Sequence, residues 1–275
     1  MNGAMTSSTS WTRNRIDPDR RFGLRLTLVA LALVVCAIPF ALLALLVETK
    51  WSPLLDMDRD VARSLNDWVL EHTGWQHALR ILSDWIWDPN MYRLLIALMC
   101  VWLWWRGARR LVAWAVVTVG VAGLLGAVLK LVFTRARPKL PNPVDHAGGW
   151  SFPSGHALMG TVGPGVLLLV LLPLIPRAWR PIAWVVAVVS AVGVGFTRVA
   201  LGVHFVTDVV GGWVLGVAVL AATSAVFEWW RRDAGLRDVH ATSEGLEPEI
   251  DGLDEDPEIP HNHPGTREGA PHPRN

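Results

Sequence analysis

Charged residues and cysteines are both scarce in this chain. Charged residues make up 18% of its 275 residues, and it has only two cysteines. A disulfide framework is not indicated, because Cys36 and Cys100 both lie within long apolar runs. The formal net charge is only +1, which does not indicate a nucleic-acid partner. The chain also lacks an internal repeat, so no repeat architecture is predicted.

Long apolar runs are abundant. Hydrophobic residues make up 52% of the sequence, and the mean hydropathy is +0.33. A transmembrane helix needs about 20 mostly apolar residues. Six candidate runs occupy residues 27–47, 89–105, 111–133, 156–176, 181–198 and 209–230. The sequence therefore predicts an all-α integral membrane protein, a bundle of six transmembrane helices. The first run exceeds the apolar core of a secretory signal, so we expect an anchor.

The distribution of arginine predicts the topology. Residues 1–22 are polar and carry four arginines, which is typical of a cytoplasmic segment. Counting six crossings from there places the basic clusters at 106–110, 177–180 and 231–232 on the cytoplasmic side as well. Both termini are therefore predicted to be cytoplasmic, with residues 23–232 as the membrane domain. Residues 233–275 are acidic, rich in proline and glycine and poor in large apolar residues, which predicts a disordered cytoplasmic tail.

A further helix is predicted between the first two spans. Apolar residues recur there at helical spacing, with Asp and Arg on the opposite face. They are Leu54, Met57, Val61, Leu65, Trp68 and Val69. This pattern is typical of an amphipathic helix lying on the outer membrane surface.

Positive charge on the outer side departs from the usual distribution. Lys130, Arg135, Arg137 and Lys139 crowd the connection between the third and fourth spans, where cations are normally disfavoured. The same side receives His156 at the start of the fourth span. It also receives Arg198, His204 and Asp208 around the connection between the fifth and sixth spans. Ionisable groups near membrane spans usually face a polar cavity or a partner, so we expect these three segments to converge.

The residue types in these segments suit phosphate chemistry. His204 and Asp208 are four residues apart, so on a helix beginning near His204 the carboxylate can fix the imidazole tautomer. Such an imidazole is a nucleophile or a base, although the same spacing also fits a structural pair. Ser154 is a plausible helix N-cap whose neighbouring amides suit an anion, and Gly155 allows close approach of the backbone. His156 is then available as a general acid.

Three cations complete the predicted pocket. Lys130 and Arg137 are seven residues apart, which on a continuing helix is about two turns and points both the same way. Arg198 adds a third positive charge from another connection. Guanidinium groups bind phosphate oxygens bidentately, and lysine adds a point charge. The sequence therefore predicts an anion pocket that contains two histidines.

These residues resemble the three-part signature of the type 2 phosphatidic acid phosphatase superfamily of lipid phosphate phosphatases. The parts are Lys130-x6-Arg137-Pro138, then Pro153-Ser154-Gly155-His156, then Arg198-x5-His204-x3-Asp208. They occur in the family's order, and the resemblance covers about residues 54–230. One position departs from the pattern, because the third part usually begins with Ser before the arginine and this chain has Thr197. Threonine keeps the hydroxyl, so we expect little loss.

The resemblance implies an enzyme, a phosphoric monoester hydrolase that needs no metal or other cofactor. His204 would attack phosphorus and form a phosphohistidine, and Asp208 would orient it. His156 would protonate the leaving alkoxide and then activate water. Lys130, Arg137 and Arg198, with Ser154 and the amide of Gly155, would hold the phosphoryl oxygens. No acidic cluster that could cage Mg²⁺ lies beside these residues.

The membrane setting narrows the predicted substrate and location. A site at headgroup depth favours a lipid or polyprenyl phosphate or diphosphate whose tail stays in the bilayer. No nucleic-acid partner is expected. The implied location is a bacterial plasma membrane, with a multi-pass chain and an extracytoplasmic site. The connection 140–150, which contains Asp145 and His146, is expected to border the pocket.

Three alternative functions are open, and the first two use the same pocket. A phosphotransferase would pass the phosphoryl group to an acceptor other than water. Vanadium-dependent haloperoxidases carry a similar motif set, but they are soluble proteins. A non-catalytic protein that binds or transports a lipid phosphate or another anion would use Gly160, Gly163, Pro164 and Gly165 as a broken-helix site.

Overall fold

The computed structural model describes residues 34–233, and this part of the chain is helical. Its helices are α1 (Val34–Glu48), α2 (Ser52–Glu71), α3 (Thr73–Ile81), α4 (Pro89–Trp105), α5 (Arg109–Phe133), α6 (Gly155–Leu171), α7 (Arg180–Ala200) and α8 (Val206–Asp233). A π-helical turn, Leu82–Ile86, follows α3 and leads into the connection to α4, and two 3₁₀ turns lie between α6 and α7. The all-α prediction is confirmed. The predicted N-terminal segment, the beginning of the first predicted span and nearly all of the predicted tail lie outside the described residues.

Four helices within residues 34–233 are long and apolar enough to cross a membrane. They comprise Arg109–Phe133, Gly155–Leu174, Arg177–Ala200 and Val206–Trp230, counting the 3₁₀ turns that extend α6 and α7. The number is five if α1 and α2, which meet at an angle of 89°, count as one span. Helix α4 has 17 residues, the lower limit of the length that spans a bilayer. These helices make the chain an integral membrane protein.

Helix α6 is the centre of the bundle. It packs against α8, α7, α4 and α5, and over half of its apolar stretch is buried. Its glycines allow the close contacts, because a Cβ at Gly160, Gly163 or Gly165 would collide with Val194, Tyr92 or Leu220 respectively. The helix also continues through Pro164. The residues that a broken-helix transporter would require are therefore used for helix packing.

Helix α2 lies where the amphipathic helix was predicted, but the face that it buries differs. Val61 and Leu65 pack beside Val199 and Val209 of the bundle, in agreement with the pattern. Met57 and Trp68 are exposed, whereas Asp58 and Asn66 are buried. The side of α2 that meets α7 and α8 is therefore partly polar.

Helix α5 ends at Phe133, the last residue of the third predicted span, and Thr134 follows in the left-handed region with φ of 40°. Lys130 and Arg137 are therefore not on one continuing helix, which was the condition for both to point the same way. Arg137 reaches the site from an irregular segment, which gives it a different approach direction from Lys130.

Candidate active site

The three signature segments meet at one end of the bundle. They lie at the C-terminal ends of α5 and α7 and the N-terminal ends of α6 and α8. The turns between α4 and α5 and between α6 and α7 carry the arginines of the basic clusters, and they lie at the opposite end. The antiparallel arrangement of neighbouring helices thus separates the two groups of cations.

His204 and Asp208 form a buried pair. His204 Nδ1 lies 3.3 Å from Asp208 Oδ2, and the two residues are 1% and 0% exposed. The helix begins at Val206, after His204 rather than at it. The pair forms nevertheless, because Asp208 also accepts a hydrogen bond of 2.9 Å from the amide of Phe205 and so faces back towards the connection.

Hydrogen bonding determines which nitrogen of His204 carries the lone pair and which carries the proton. Arg137 Nη1 lies 3.0 Å from His204 Nε2, and a guanidinium can only donate. Nε2 is therefore the acceptor, and the ring proton is on Nδ1, facing Asp208. Burial is the main cause that lowers the pKa of His204; Asp208 opposes it, the charges of Arg137 and Arg198 add to it, and the resulting pKa is about 4. The imidazole is neutral at pH 7 with its lone pair at Nε2.

Arg137 and Lys130 converge on the connection that precedes α6. Arg137 donates to the carbonyls of Gly148, Gly149 and Val203 at 2.8 to 3.1 Å. Lys130 Nζ donates to the carbonyl of Trp150 at 2.7 Å. Burial lowers the pKa of Arg137 from its usual range, and Asp208 opposes that shift. The prediction that the connection 140–150 borders the site is borne out by these contacts.

Arg198 approaches from α7. It is 4% exposed, and its Nη1 donates to Ser83 Oγ at 2.7 Å and lies 3.6 Å from Asp84 Oδ1. Its Nε is buried without a hydrogen-bond partner. A buried guanidinium with an unused N–H can donate it to an anionic oxygen without first breaking a protein hydrogen bond at that atom. Thr197, the departure from the family pattern, uses its hydroxyl within α7, donating to Val194 O at 2.8 Å.

The start of α6 supplies the second histidine. Ser154 caps the helix, as predicted, by accepting a hydrogen bond from the amide of Ala157 at 3.4 Å. A Cβ at Gly155 would lie 3.9 Å from Lys130 Cε, which places this turn beside the lysine. The His156 side chain is 26% exposed, and its Nε2 lies 3.9 Å from Asp88 Oδ2. The ring interacts electrostatically with four charged or titratable groups, those of Arg198, His204, Arg137 and Lys130. All eight predicted site residues are thus on the elements that meet here.

Comparison with known proteins finds a family match for part of the chain. Residues 111–232 match the family model described as the PAP2 superfamily. The chain therefore resembles this family over less than half of its length. It is 39% identical over 104 residues to phosphatidylglycerophosphatase B of Bacillus subtilis (strain 168), covering 37% of this chain and 51% of that protein. It is 34% identical over 117 residues to undecaprenyl-diphosphatase of Sulfolobus acidocaldarius, covering 39% of this chain and 51% of that protein.

A solved structure supports the PAP2 fold over a longer stretch. The crystal structure of the first transmembrane PAP2 type phosphatidylglycerolphosphate phosphatase from Bacillus subtilis superimposes with a TM-score of 0.65. The match has 23% identity and covers 76% of this chain and 98% of that one. By contrast, the chain spans about half the length of the curated relatives that it matches.

Two further charged residues near the site, Arg135 and Asp58, had no predicted role. Arg135 donates from Nη1 to Asp208 Oδ1 at 2.6 Å and from Nη2 to Asp58 Oδ2 at 2.7 Å. We call this arrangement the Asp58–Arg135–Asp208 bridge. A signal for Asp58 was present, because it lies four residues after Leu54 and three before Val61, on the apolar side of α2.

A cavity of about 670 Å³ adjoins the site on the side of α1 and α2. Arg137 and Phe205 line it together with the cations Lys50, Arg63 and Lys139 and one carboxylate, Glu48. Leu55 and Leu140 add apolar surface. The cavity therefore presents positive charge and hydrocarbon side by side, next to a guanidinium that contacts His204.

Proposed function

We propose that this chain is a membrane phosphatase that hydrolyses a lipid or polyprenyl phosphate or diphosphate through a phosphohistidine. The supporting observation is the buried, neutral His204, whose Nε2 lone pair lies 3.0 Å from the Arg137 guanidinium. A nucleophile beside a fixed cation is the arrangement needed to bring an anionic phosphate onto a nitrogen lone pair. The family match over residues 111–232 and the names of the relatives favour the same reaction.

In the first half of the reaction, His204 Nε2 forms a bond to phosphorus as the bond to the ester oxygen breaks. Asp208 stabilises the positive charge that develops on the imidazole. His156 gives a proton to the leaving alkoxide. Lys130, Arg137 and Arg198 hold the equatorial oxygens, and the amides at the start of α6 add further donors.

In the second half, His156 accepts a proton from water as the water attacks the phosphohistidine. The phosphorus–nitrogen bond breaks, inorganic phosphate leaves, and His204 regains its lone pair. Three cations supply the charge that Mg²⁺ supplies in other phosphoryl-transfer enzymes. Within residues 34–233 there is no group of three or more His, Cys, Asp or Glu residues that could hold a metal ion. Metal independence is therefore part of the proposal.

The proposed substrate class follows from the surroundings of the site. Its residues lie at the ends of membrane-spanning helices, where a phosphate headgroup is found when its tail remains in the bilayer. The mixed cationic and apolar cavity beside Arg137 suits the approach of such an amphiphile. Phosphatidylglycerophosphate and undecaprenyl diphosphate, named for the relatives, are the first substrates to test.

The proposed topology has six spans, with α4 and the α1 region added to the four long helices. Both termini are cytoplasmic, α2 lies along the outer surface, and the site is extracytoplasmic. The basic turns at the end opposite the site support this orientation. Cysteines introduced at His146 and Ala178, in a Cys36→Ser/Cys100→Ser background, test it with an impermeant thiol reagent applied to intact cells. Labelling at 178 but not at 146 would reverse the orientation.

Phosphate release by the purified protein in excess EDTA tests the reaction. We expect the wild type to release phosphate from lipid substrates faster than from a short-chain soluble ester. His204→Gln should abolish release, and a rapid quench should trap phosphate on the wild type alone. Binding of lipid phosphate without release would identify a binding protein, and transfer to an added alcohol in place of water would identify a phosphotransferase.

A further inference from the structure

The nucleophilic pair is connected to α2, a helix outside the part of the chain that matches the family model. Asp58 of α2 accepts hydrogen bonds from the amide and the hydroxyl of Thr207 at 3.1 and 2.5 Å. It also accepts one from Arg135, which in turn holds Asp208. Asp58 and Asp208 are fully buried, and the Arg135 side chain is only 9% exposed. Solvent therefore does little to screen this bridge.

We propose that Arg135 and Asp58 are positioning residues that hold the Asp208 carboxylate in the orientation that keeps His204 nucleophilic. This proposal rests on the proposed function for its kinetic consequences. The residues act through Asp208 and do not contact the phosphoryl group themselves.

The division of hydrogen bonds on Asp208 carries the proposal. Oδ1 receives the guanidinium of Arg135, while Oδ2 receives the amide of Phe205 and faces Nδ1 of His204. With Oδ1 anchored, the carboxylate plane is fixed and Oδ2 remains directed at the ring. A freed carboxylate can rotate, and Nδ1–H of His204 then loses the acceptor that orients the ring. The ring can turn, and the Nε2 lone pair loses its fixed direction.

Arg135 is itself held from two further sides. Its guanidinium lies over the ring of Phe205, 4.4 Å from the centroid, and its Nη1 also donates to Thr207 Oγ1 at 2.6 Å. A lysine at this position keeps the charge but cannot reach both carboxylates from a planar fork. The geometry therefore uses the shape of the guanidinium as well as its charge.

The bridge also affects the charge around His204. Asp208 of α8, Arg198 of α7, His156 of α6 and Arg137 of the connection after α5 act on His204 directly. Arg135 and Asp58 have opposite charges, so they change the effect of Asp208 on the pKa of His204 in opposite directions. Removing the charge of Arg135 should raise the pKa of His204, because the negative charge of Asp208 is then less compensated. Removing the charge of Asp58 should lower the pKa of His204.

The kinetic test uses Arg135→Lys and Asp58→Asn with matched controls. Arg177→Lys and Asp67→Asn change exposed residues of the same types, and Asp67 lies on the same helix as Asp58. We expect each bridge variant to lower kcat by about 10- to 100-fold with KM within about twofold, because misplacement of the nucleophile affects the chemical step. The controls should keep wild-type values. Thermal unfolding in the same detergent shows whether each variant is folded. If one of the two bridge variants does not fold, the other bridge variant decides the test.

An activity-independent measurement separates this proposal from the proposed function. In protein labelled with ¹⁵N-histidine, the His204 signal is identified by its loss in His204→Gln, and its tautomer and titration are followed by NMR. We expect an Nδ1–H tautomer in the wild type. Asp58→Asn should shift the titration midpoint downwards and Arg135→Met upwards, each by about one pH unit.

The outcomes are distinct. A wild type that releases no phosphate overturns the proposed function, and the tautomer and titration then decide the bridge alone. An active wild type whose bridge variants match their controls in kcat and in the His204 titration overturns the bridge. A rise in KM with unchanged kcat also overturns it, because that result assigns the residues to substrate binding.

Discussion

Gly212→Ala tests whether the contact between the starts of α6 and α8 sets the catalytic geometry. A Cβ at Gly212 would lie 2.7 Å from Ser154 O, 2.9 Å from Ala157 Cβ and 3.0 Å from Leu158 N. Ordinary contact begins near 3.4 Å, so the two helices must separate by roughly 0.7 Å at the closest point. Two of the three atoms are backbone, which leaves no flexible side chain to yield. His156 lies between Ser154 and Ala157, and it would move with them.

The magnitude follows from two opposing effects. Overpacking of this kind lowers the free energy of unfolding by about 1–3 kcal/mol. Replacing glycine by alanine inside a helix raises it by about 0.5–1 kcal/mol. Gly120→Ala in α5 is the matched control, because nothing lies within 4 Å of its added Cβ. The difference in unfolding free energy between the two variants therefore isolates the collision, at about 1–3 kcal/mol.

The assay combines thermal unfolding in detergent with steady-state phosphate release. We expect Gly212→Ala to unfold at a lower temperature than Gly120→Ala and to lose on the order of 10- to 100-fold in kcat, because small displacements of catalytic groups are costly. Gly120→Ala should retain wild-type activity. Equal stability and equal kcat for the two variants would refute the reasoning.

Three other predictions concern the site and its support. Asp208→Asn should lower kcat by about 10²- to 10⁴-fold, because an amide does not hold the Nδ1–H tautomer; activity within threefold of wild type would contradict this. In a pH profile, kcat/KM should fall on the acidic side near pH 4, where His204 gains a proton and loses its lone pair. Activity should therefore persist at pH 5. A fall near pH 6.5 would contradict this, because that is the pKa of an unperturbed imidazole. Asn66→Ala should lower stability by about 1–3 kcal/mol, because Asn142 O and Val144 N lose their buried partner; unchanged unfolding in detergent would refute it.

The sequence predicted the convergence of the three segments better than it predicted their local backbone. The types and order of Lys130, His156 and His204 indicated the chemistry, because few other functions need histidines among cations on membrane spans. The backbone that follows or precedes the helices was less predictable. Thr134 adopts a left-handed conformation and Val206 begins α8, and the apolar pattern of the sequence marks neither feature.

Asp58 shows why the rest was not predicted. An aspartate in an amphipathic helix is usually solvated, and its partner Arg135 lies 77 residues away. Pairing over that distance depends on how α2 folds back against α8 after its 89° angle with α1. Periodicity within one helix contains no information about such a contact, although an acid on an apolar face signals that a partner exists.

The short connection between α7 and α8 limits how such a protein can diversify. Only residues 201–205 join the two helices, and the amides of Val203 and His204 both donate to Arg198 O at 3.2 Å. An insertion there would move Arg198 away from His204. The longer connection between α5 and α6 contacts Lys130 and Arg137 through carbonyl groups. Under the proposed function, that segment can vary in length and side chains with the headgroup, while the α7–α8 connection must keep its length.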